Sequence, residues 1–181
     1  MKTEVQIKAK VYDFEKIKKK ISEIAEFIDK QNKVDYYFSR DSNLDRTELR
    51  LRKKGNEKTV TFKMPFSGDG VEKSREYKFN VDNASDFIDV LENLGIMVIA
   101  MKHKNSLFYK HRDITIQLAS IPELGYFIEI EKKCDKKEED KARADILKLA
   151  EELGIKSEQM EKKAYLELLI EKSQKQDRED K

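Results

Sequence analysis

Phe127-Ile128-Glu129-Ile130-Glu131 alternates aliphatic and acidic side chains. In a strand, successive side chains point to opposite faces. Ile128 and Ile130 therefore face a core, and Glu129 and Glu131 share the other face. Near the opposite end of the chain, Glu4-Val5-Gln6-Ile7-Lys8 has the same period. There Val5 and Ile7 face the core while Glu4, Gln6 and Lys8 share the polar face. Taken singly, either stretch describes a sheet with one solvated face.

The pattern recurs along the chain. Arg50 and Arg52 flank Leu51, and Thr61 and Lys63 alternate with Val60, Phe62 and Met64. Lys102 and Lys104 flank His103, and Asp113, Thr115 and Gln117 alternate with Ile114, Ile116 and Leu118. In a closed barrel the polar face can be the lumen, with the apolar face packed beneath covering helices. The amphipathic helices need such a surface. The expected fold is therefore α+β, a closed antiparallel β-barrel of about eight strands with helices packed outside.

The element boundaries follow from periodicity and from breakers. Strands are expected over 3–11, 34–39, 48–53, 58–64, 73–81, 97–109, 114–119 and 126–132, with Pro65 ending the fourth. Asp13 caps a helix reaching about residue 28. Further helices are expected over 83–94, stopped by Gly95, then over 137–153 and 157–172. Asp41-Ser42-Asn43 and Gly55-Asn56 read as turns, and Ser67-Gly68-Asp69-Gly70 as a flexible loop. Residues 1–172 read as one domain. The tail 173–181 has no apolar anchor and is expected to be disordered.

Composition narrows the function classes. The chain has 181 residues, 38% hydrophobic and 41% charged, with a net charge of +2. Interleaved acids and bases with so little net charge argue against nucleic acid as a partner. Cys134 is the single cysteine, so no intrachain disulfide is possible. With only two histidines in addition, the usual zinc sets are not expected. No apolar run approaches a membrane span. A cytoplasmic protein is expected, with a homodimer left open.

A lumen lined as above holds the bases Lys8, Arg50, Arg52, Lys63, Lys102 and Lys104 and the acids Glu4, Glu129 and Glu131. Bases alone suit a phosphate chain, with arginine giving bidentate contacts and lysine acting as a point charge. Carboxylates among them repel phosphate unless a cation intervenes, and hard oxygen ligands beside phosphate select Mg²⁺ or Mn²⁺. The plain alternative is mutual neutralisation in exposed cross-strand ion pairs.

These residues also carry a family resemblance. Glu4-x-Gln6-x-Lys8 resembles the E-x-E-x-K signature of the CYTH family, which contains class IV adenylate cyclases and thiamine triphosphatases. Asp35-Tyr36-Tyr37-Phe38 resembles its second strand, Leu49-Arg50-Leu51-Arg52 its L-R-x-R strand, and Thr61-Phe62-Lys63-Met64-Pro65 its T-x-K-x-P segment. Ser74-Arg75-Glu76, Lys102-His103-Lys104 and Tyr109 follow in order. Leu124 to Glu131 is similar to L-G-x-F-x-E-I-E, and Ala164 to Leu169 to the terminal S-Y-x-x-L-L.

The resemblance implies a triphosphate tunnel. It implies phosphate binding by Lys8, Arg50, Arg52, Lys63, Lys102 and Lys104. It implies metal ligation by Glu4, Glu129 and Glu131, with a weak contribution from Gln6. Lys8, Glu129 and Glu131 then stand at the reacting centre. The implied partner is ATP or a similar triphosphate, and the implied cofactor is Mg²⁺ or Mn²⁺. Two departures stand out: Gln6 replaces a second glutamate, and Ala119 replaces an acid. Adenylate cyclase, a triphosphatase and a non-catalytic nucleotide or polyphosphate binder are the three expected functions, in that order.

Overall fold

The computed structural model describes residues 2–40, 48–68 and 71–179. In chain order the elements are β1 (Lys2–Val11), α1 (Phe14–Ile24), β2 (Glu26–Ser39), β3 (Glu48–Lys54), β4 (Glu57–Gly68) and β5 (Val71–Asn80). They continue with α2 (Ala84–Asn93), β6 (Met97–His111), β7 (Ile114–Ile121), β8 (Gly125–Asp135), α3 (Glu139–Leu153) and α4 (Tyr165–Glu179). The strands form one eight-stranded sheet in the order β1-β8-β7-β6-β2-β3-β4-β5. The fold is α+β, as the alternation predicts. However, β1 and β5 are the two ends of the order, so ladder hydrogen bonds do not close the sheet among the described residues. Alternation identifies a strand's polar face. It carries no information on which edges meet, which is why it suggested a closed barrel.

The chain divides into two compact units, Met1–Gln31 with Lys104–Ala164, and Asn32–His103 with Tyr165–Lys181. The core of the first unit is aliphatic. Ala9 and Val11 of β1, Ile116 and Leu118 of β7, and Ile128 and Ile130 of β8 are buried with Ile17 and Ile21 of α1 and Ile146, Leu149 and Leu153 of α3. The Asp13 side chain accepts the Lys16 N–H and starts α1. Gly154, at φ +83°, ends α3 in the left-handed conformation that glycine adopts without steric cost. In the second unit, Phe38, Leu51 and Val60 of the sheet bury Ala84 and Leu91 of α2, whose N-cap is Asn83.

Several boundaries differ from expectation. The first helix stops at Ile24, and Phe27 belongs to β2, edge-on to Tyr109 at 5.6 Å between ring centroids. Its apolar spacing fitted a helix equally well. β4 continues through Pro65 to Gly68. Val81 N–H bonds the Lys58 carbonyl, so even-numbered β4 residues turn their backbone groups to β5 and odd-numbered ones to β3. The missing N–H of Pro65 thus points to the β3 side, beyond Glu48–Lys63, the first pair of that ladder among the described residues. α4 runs to Glu179, past the disordered tail expected from 173. Its Lys, Gln, Arg and Glu content favours helix without an apolar stripe. The Asp41-Ser42-Asn43 turn and the Asp69-Gly70 part of the loop lie outside the described residues. No helix among the described residues is long and apolar enough to cross a membrane.

Candidate functional site

In the first unit, strand register sets the polar face. β1 and β8 pair antiparallel, with Lys8 opposite Glu129 and Gln6 opposite Glu131. Across the other edge of β8, Gln117 of β7 lies opposite Glu129 and Thr115 opposite Glu131. Spacing puts Glu4, Gln6 and Lys8 on one face of β1 and Glu129 and Glu131 on one face of β8, and the β1–β8 ladder brings these two sets side by side. Glu129 is buried and accepts a hydrogen bond from Lys104 Nζ at 2.6 Å. Lys8 Nζ donates to the Lys163 carbonyl. Glu4 and Gln6 are exposed, and Glu131 is half-buried.

The two carboxylates of β8 therefore differ. Glu129 has a cation in contact. Glu131 lies among acids: burial, and then the Glu4 and Glu129 charges, push its carboxyl above the ordinary range, against Lys133. That is the condition a divalent cation relieves, and the donors are the hard oxygens that Mg²⁺ or Mn²⁺ prefers. Glu131 and Glu4 are the residues that could hold such an ion, whereas Glu129 is engaged by Lys104. Among the described residues, no three carboxylate, imidazole or thiol groups stand close enough to form a ready metal cage.

In the second unit the polar face centres on Asp35, which is fully buried. Arg52 grips it bidentately, Nε to Oδ1 at 2.6 Å and Nη2 to Oδ2 at 2.8 Å. Lys102 Nζ approaches Oδ2 at 2.8 Å and donates to the Tyr37 hydroxyl at 2.9 Å. Its ammonium also lies over the rings of Tyr37 and Tyr165, 5.4 and 5.0 Å from their centroids. Burial alone would raise the Asp35 pKa, but the Arg52 hydrogen bond and the Lys102 charge hold it well below the carboxylate range. Burial pushes the Lys102 ammonium below its usual value, and Asp35 only partly offsets this.

Arg50 and Arg52 also line a cavity of about 220 Å³. Lys33, Lys54 and Lys78 line it too, with the Thr59 and Thr61 side chains and Glu57. Lys63 lies apart from that lining and pairs with Glu76 at 3.7 Å, both about half exposed. The structure thus brings Arg50 and Arg52 to one cavity, gives Lys102 and Lys104 buried carboxylate partners, and leaves Lys63 on an exposed pair.

Sequence reasoning passed over Asp35 except as part of a resembling strand, and it missed Lys33, Lys54 and Lys78. The signal for Asp35 was present. It is a lone charge inside Val34-Asp35-Tyr36-Tyr37-Phe38, and a buried carboxylate requires a cationic partner.

Comparison with known proteins adds three findings. The CYTH domain model matches residues 2–165. The Methanocaldococcus jannaschii protein named "Putative adenylate cyclase MJ0240" is 29% identical over 171 residues, covering 91% of this chain and 97% of that one. Two solved structures from Pyrococcus horikoshii OT3 share the fold. PH1012 is 28% identical with a TM-score of 0.71, covering 92% of this chain and 99% of its own. PH1819 is 27% identical with a TM-score of 0.69, covering 94% and 99%.

Proposed function

This chain belongs to the CYTH domain family, and on that premise we propose that it is a divalent-cation-dependent enzyme acting on a triphosphate, its leading reaction the conversion of ATP to cyclic AMP and pyrophosphate. The observation that carries the reading is the cavity of the second unit, where five cationic side chains and two hydroxyls surround a space of about 220 Å³. Such a lining suits a phosphate chain. The cyclase reaction is favoured by the name of the M. jannaschii relative.

Phosphate binding is assigned to Arg50, Arg52, Lys63 and Lys102 in the second unit and to Lys8 and Lys104 in the first. Glu131, Glu4 and Glu129, with Gln6 contributing weakly, would hold Mg²⁺ or Mn²⁺. When bound, the cation supplies charge neutralisation and acidifies the attacking hydroxyl. The ribose 3′-hydroxyl gives its proton to solvent, its oxygen forms a bond to the α-phosphorus as the bond to the pyrophosphate oxygen breaks, and the bases neutralise charge on the departing group.

A second reading is hydrolysis of an organic or inorganic triphosphate. It is favoured by the same lining, which among the described residues has no aromatic or aliphatic side chain to select a nucleobase. Incubating the chain with ATP and Mg²⁺ or Mn²⁺ and resolving the products tests both. Cyclic AMP with pyrophosphate supports the first reading, whereas ADP or AMP with phosphate sinks it. Turnover of tripolyphosphate or thiamine triphosphate supports the second. Binding without turnover of any of these removes both and leaves a triphosphate-binding role.

A further inference from the structure

The two ends of the sheet are treated differently. An edge strand presents unpaired backbone groups that invite another strand. On β1 this edge is covered from within the chain. Met160 forms a bridge to Ala9, Glu161 N–H bonds the Lys8 carbonyl at 2.8 Å, and the Gln159 side chain donates to the Lys10 carbonyl at 2.8 Å. Among the described residues the sheet ends at β5. Every residue from 75 to 80 is exposed, including Tyr77 at 45% and Phe79 at 50%. Because Val81 N–H turns inward to Lys58, alternation turns the backbone groups of Glu76, Lys78 and Asn80 outward.

We propose that β5 is a dimerisation edge, on which two copies of this chain pair their β5 strands antiparallel about a two-fold axis at Tyr77. Charge complementarity selects both the occupant and the register. A two-fold perpendicular to the sheet joins residues of the same face. With Tyr77 opposite the partner's Tyr77, Glu76 meets the partner's Lys78, and Lys78 meets the partner's Glu76. These pairs also coincide with the outward backbone groups. On the other face, Arg75 meets the partner's Phe79, a cation over an aromatic ring. Moving the axis one residue either way opposes Glu76 to the partner's Glu76, or Lys78 to the partner's Lys78. Directly opposed like charges destabilise a sheet, so the charges favour the register about Tyr77 over its two neighbours. Lys78 lines the cavity of the second unit, so the pairing also sets the partner's Glu76 beside that cavity.

Sedimentation velocity of the full chain over a range of micromolar concentrations tests this. The expected result is a concentration-dependent doubling of mass. Glu76→Lys is expected to abolish the doubling, and Glu76→Lys with Lys78→Glu to restore it. As an independent arm, Tyr77→Cys should form an intermolecular disulfide on mild oxidation, because opposed Cα atoms of such a pair lie roughly 4.5 Å apart, within disulfide range. Phe79→Cys, opposed to Arg75, should not, and Cys134 is buried. A monomer at every concentration overturns the proposal. So does a dimer indifferent to Glu76→Lys, or cross-linking through residue 79 but not 77.

Discussion

Asp35 and Glu131 are both carboxylates on the polar faces of their strands, and their surroundings drive them in opposite directions. Asp35 is fully buried, yet it is held ionised because Arg52 and Lys102 bond to both of its oxygens. Glu131 is only half-buried, yet its proton is retained to higher pH because burial and the Glu4 charge outweigh the nearby lysines. Burial disfavours the charged form at both sites, and the sign of the result is decided by the neighbours. Asp35 has its cations built in. Among the described residues no ion pair to Glu131 is seen, and that difference separates a carboxylate held ionised from one whose proton is retained to higher pH.

The largest effect is expected where the built-in partners lose their anion. Asp35→Asn should destabilise the protein by about 3–5 kcal/mol, because it leaves buried cations uncompensated, as read by urea denaturation at neutral pH. Removing Lys102 as well, as Asp35→Asn with Lys102→Met, should recover part of that loss. A double mutant no more stable than Asp35→Asn would mean that the pair is not the unit of stability. The pH dependence follows the same sign. With its folded pKa below the unfolded value of 3.8, Asp35 contributes stability that is complete above pH 4 and is lost as pH falls through the folded value.

Arg52 has two roles on the Asp35 side of the comparison, since it clamps Asp35 and lines the cavity. Arg52→Ala is expected to weaken triphosphate binding by about 1–3 kcal/mol, the range of a charge-assisted contact, measured by calorimetry with a non-hydrolysable analogue. Unchanged affinity would mean that Arg52 serves Asp35 alone.

Much of this was legible in the sequence. Alternation placed Glu4, Gln6 and Lys8 on one face of their strand and Glu129 and Glu131 on one face of theirs, and the register of β1 with β8 adds that the two strands are neighbours. The fates of Lys102 and Lys104 were not legible. One residue apart from His103 on either side, they read alike. The structure sends Lys102 to Asp35 and Lys104 to Glu129. Such pairings join positions 67 and 25 residues apart and depend on where strands meet. Side-chain period is a property of one strand, whereas strand order is a property of the whole sheet. The same gap explains the expectation of a closed barrel.

Glu131→Gln should have the opposite sign to Asp35→Asn. With a raised folded pKa, ionised Glu131 costs stability at neutral pH, and that cost is removed as pH falls through its folded value above 4.5. Neutralising it should therefore stabilise the metal-free protein at pH 7 by roughly 0.2–1 kcal/mol, the scale of neighbouring like charges in a sheet. The same variant should lose the thermal stabilisation that Mn²⁺ gives the wild type. In the wild type, that stabilisation should weaken as pH falls through the Glu131 titration, because protons compete with the cation. Stabilisation by Mn²⁺ that survives Glu131→Gln would move the ion to other residues.

The smallest change tests whether Glu131 lacks only a cation or also a companion ligand. Gln6 lies directly opposite it, so Gln6→Glu adds a second carboxylate at that pair. Without metal it should cost roughly 0.2–1 kcal/mol by like-charge repulsion. With Mn²⁺ it should bind the ion more tightly than the wild type, in the same titration. Ala119, the other departure from the family pattern, is not equivalent. It is fully buried and lies opposite Phe127 and Ser106 in its two ladders, so Ala119→Asp buries a carboxylate beside an aromatic ring. A buried charge without a partner is expensive, and that substitution should lose stability without gaining metal affinity. If Ala119→Asp tightens Mn²⁺ binding while Gln6→Glu does not, the ion sits toward β7, and the contrast between Asp35 and Glu131 has to be drawn from Glu129 instead.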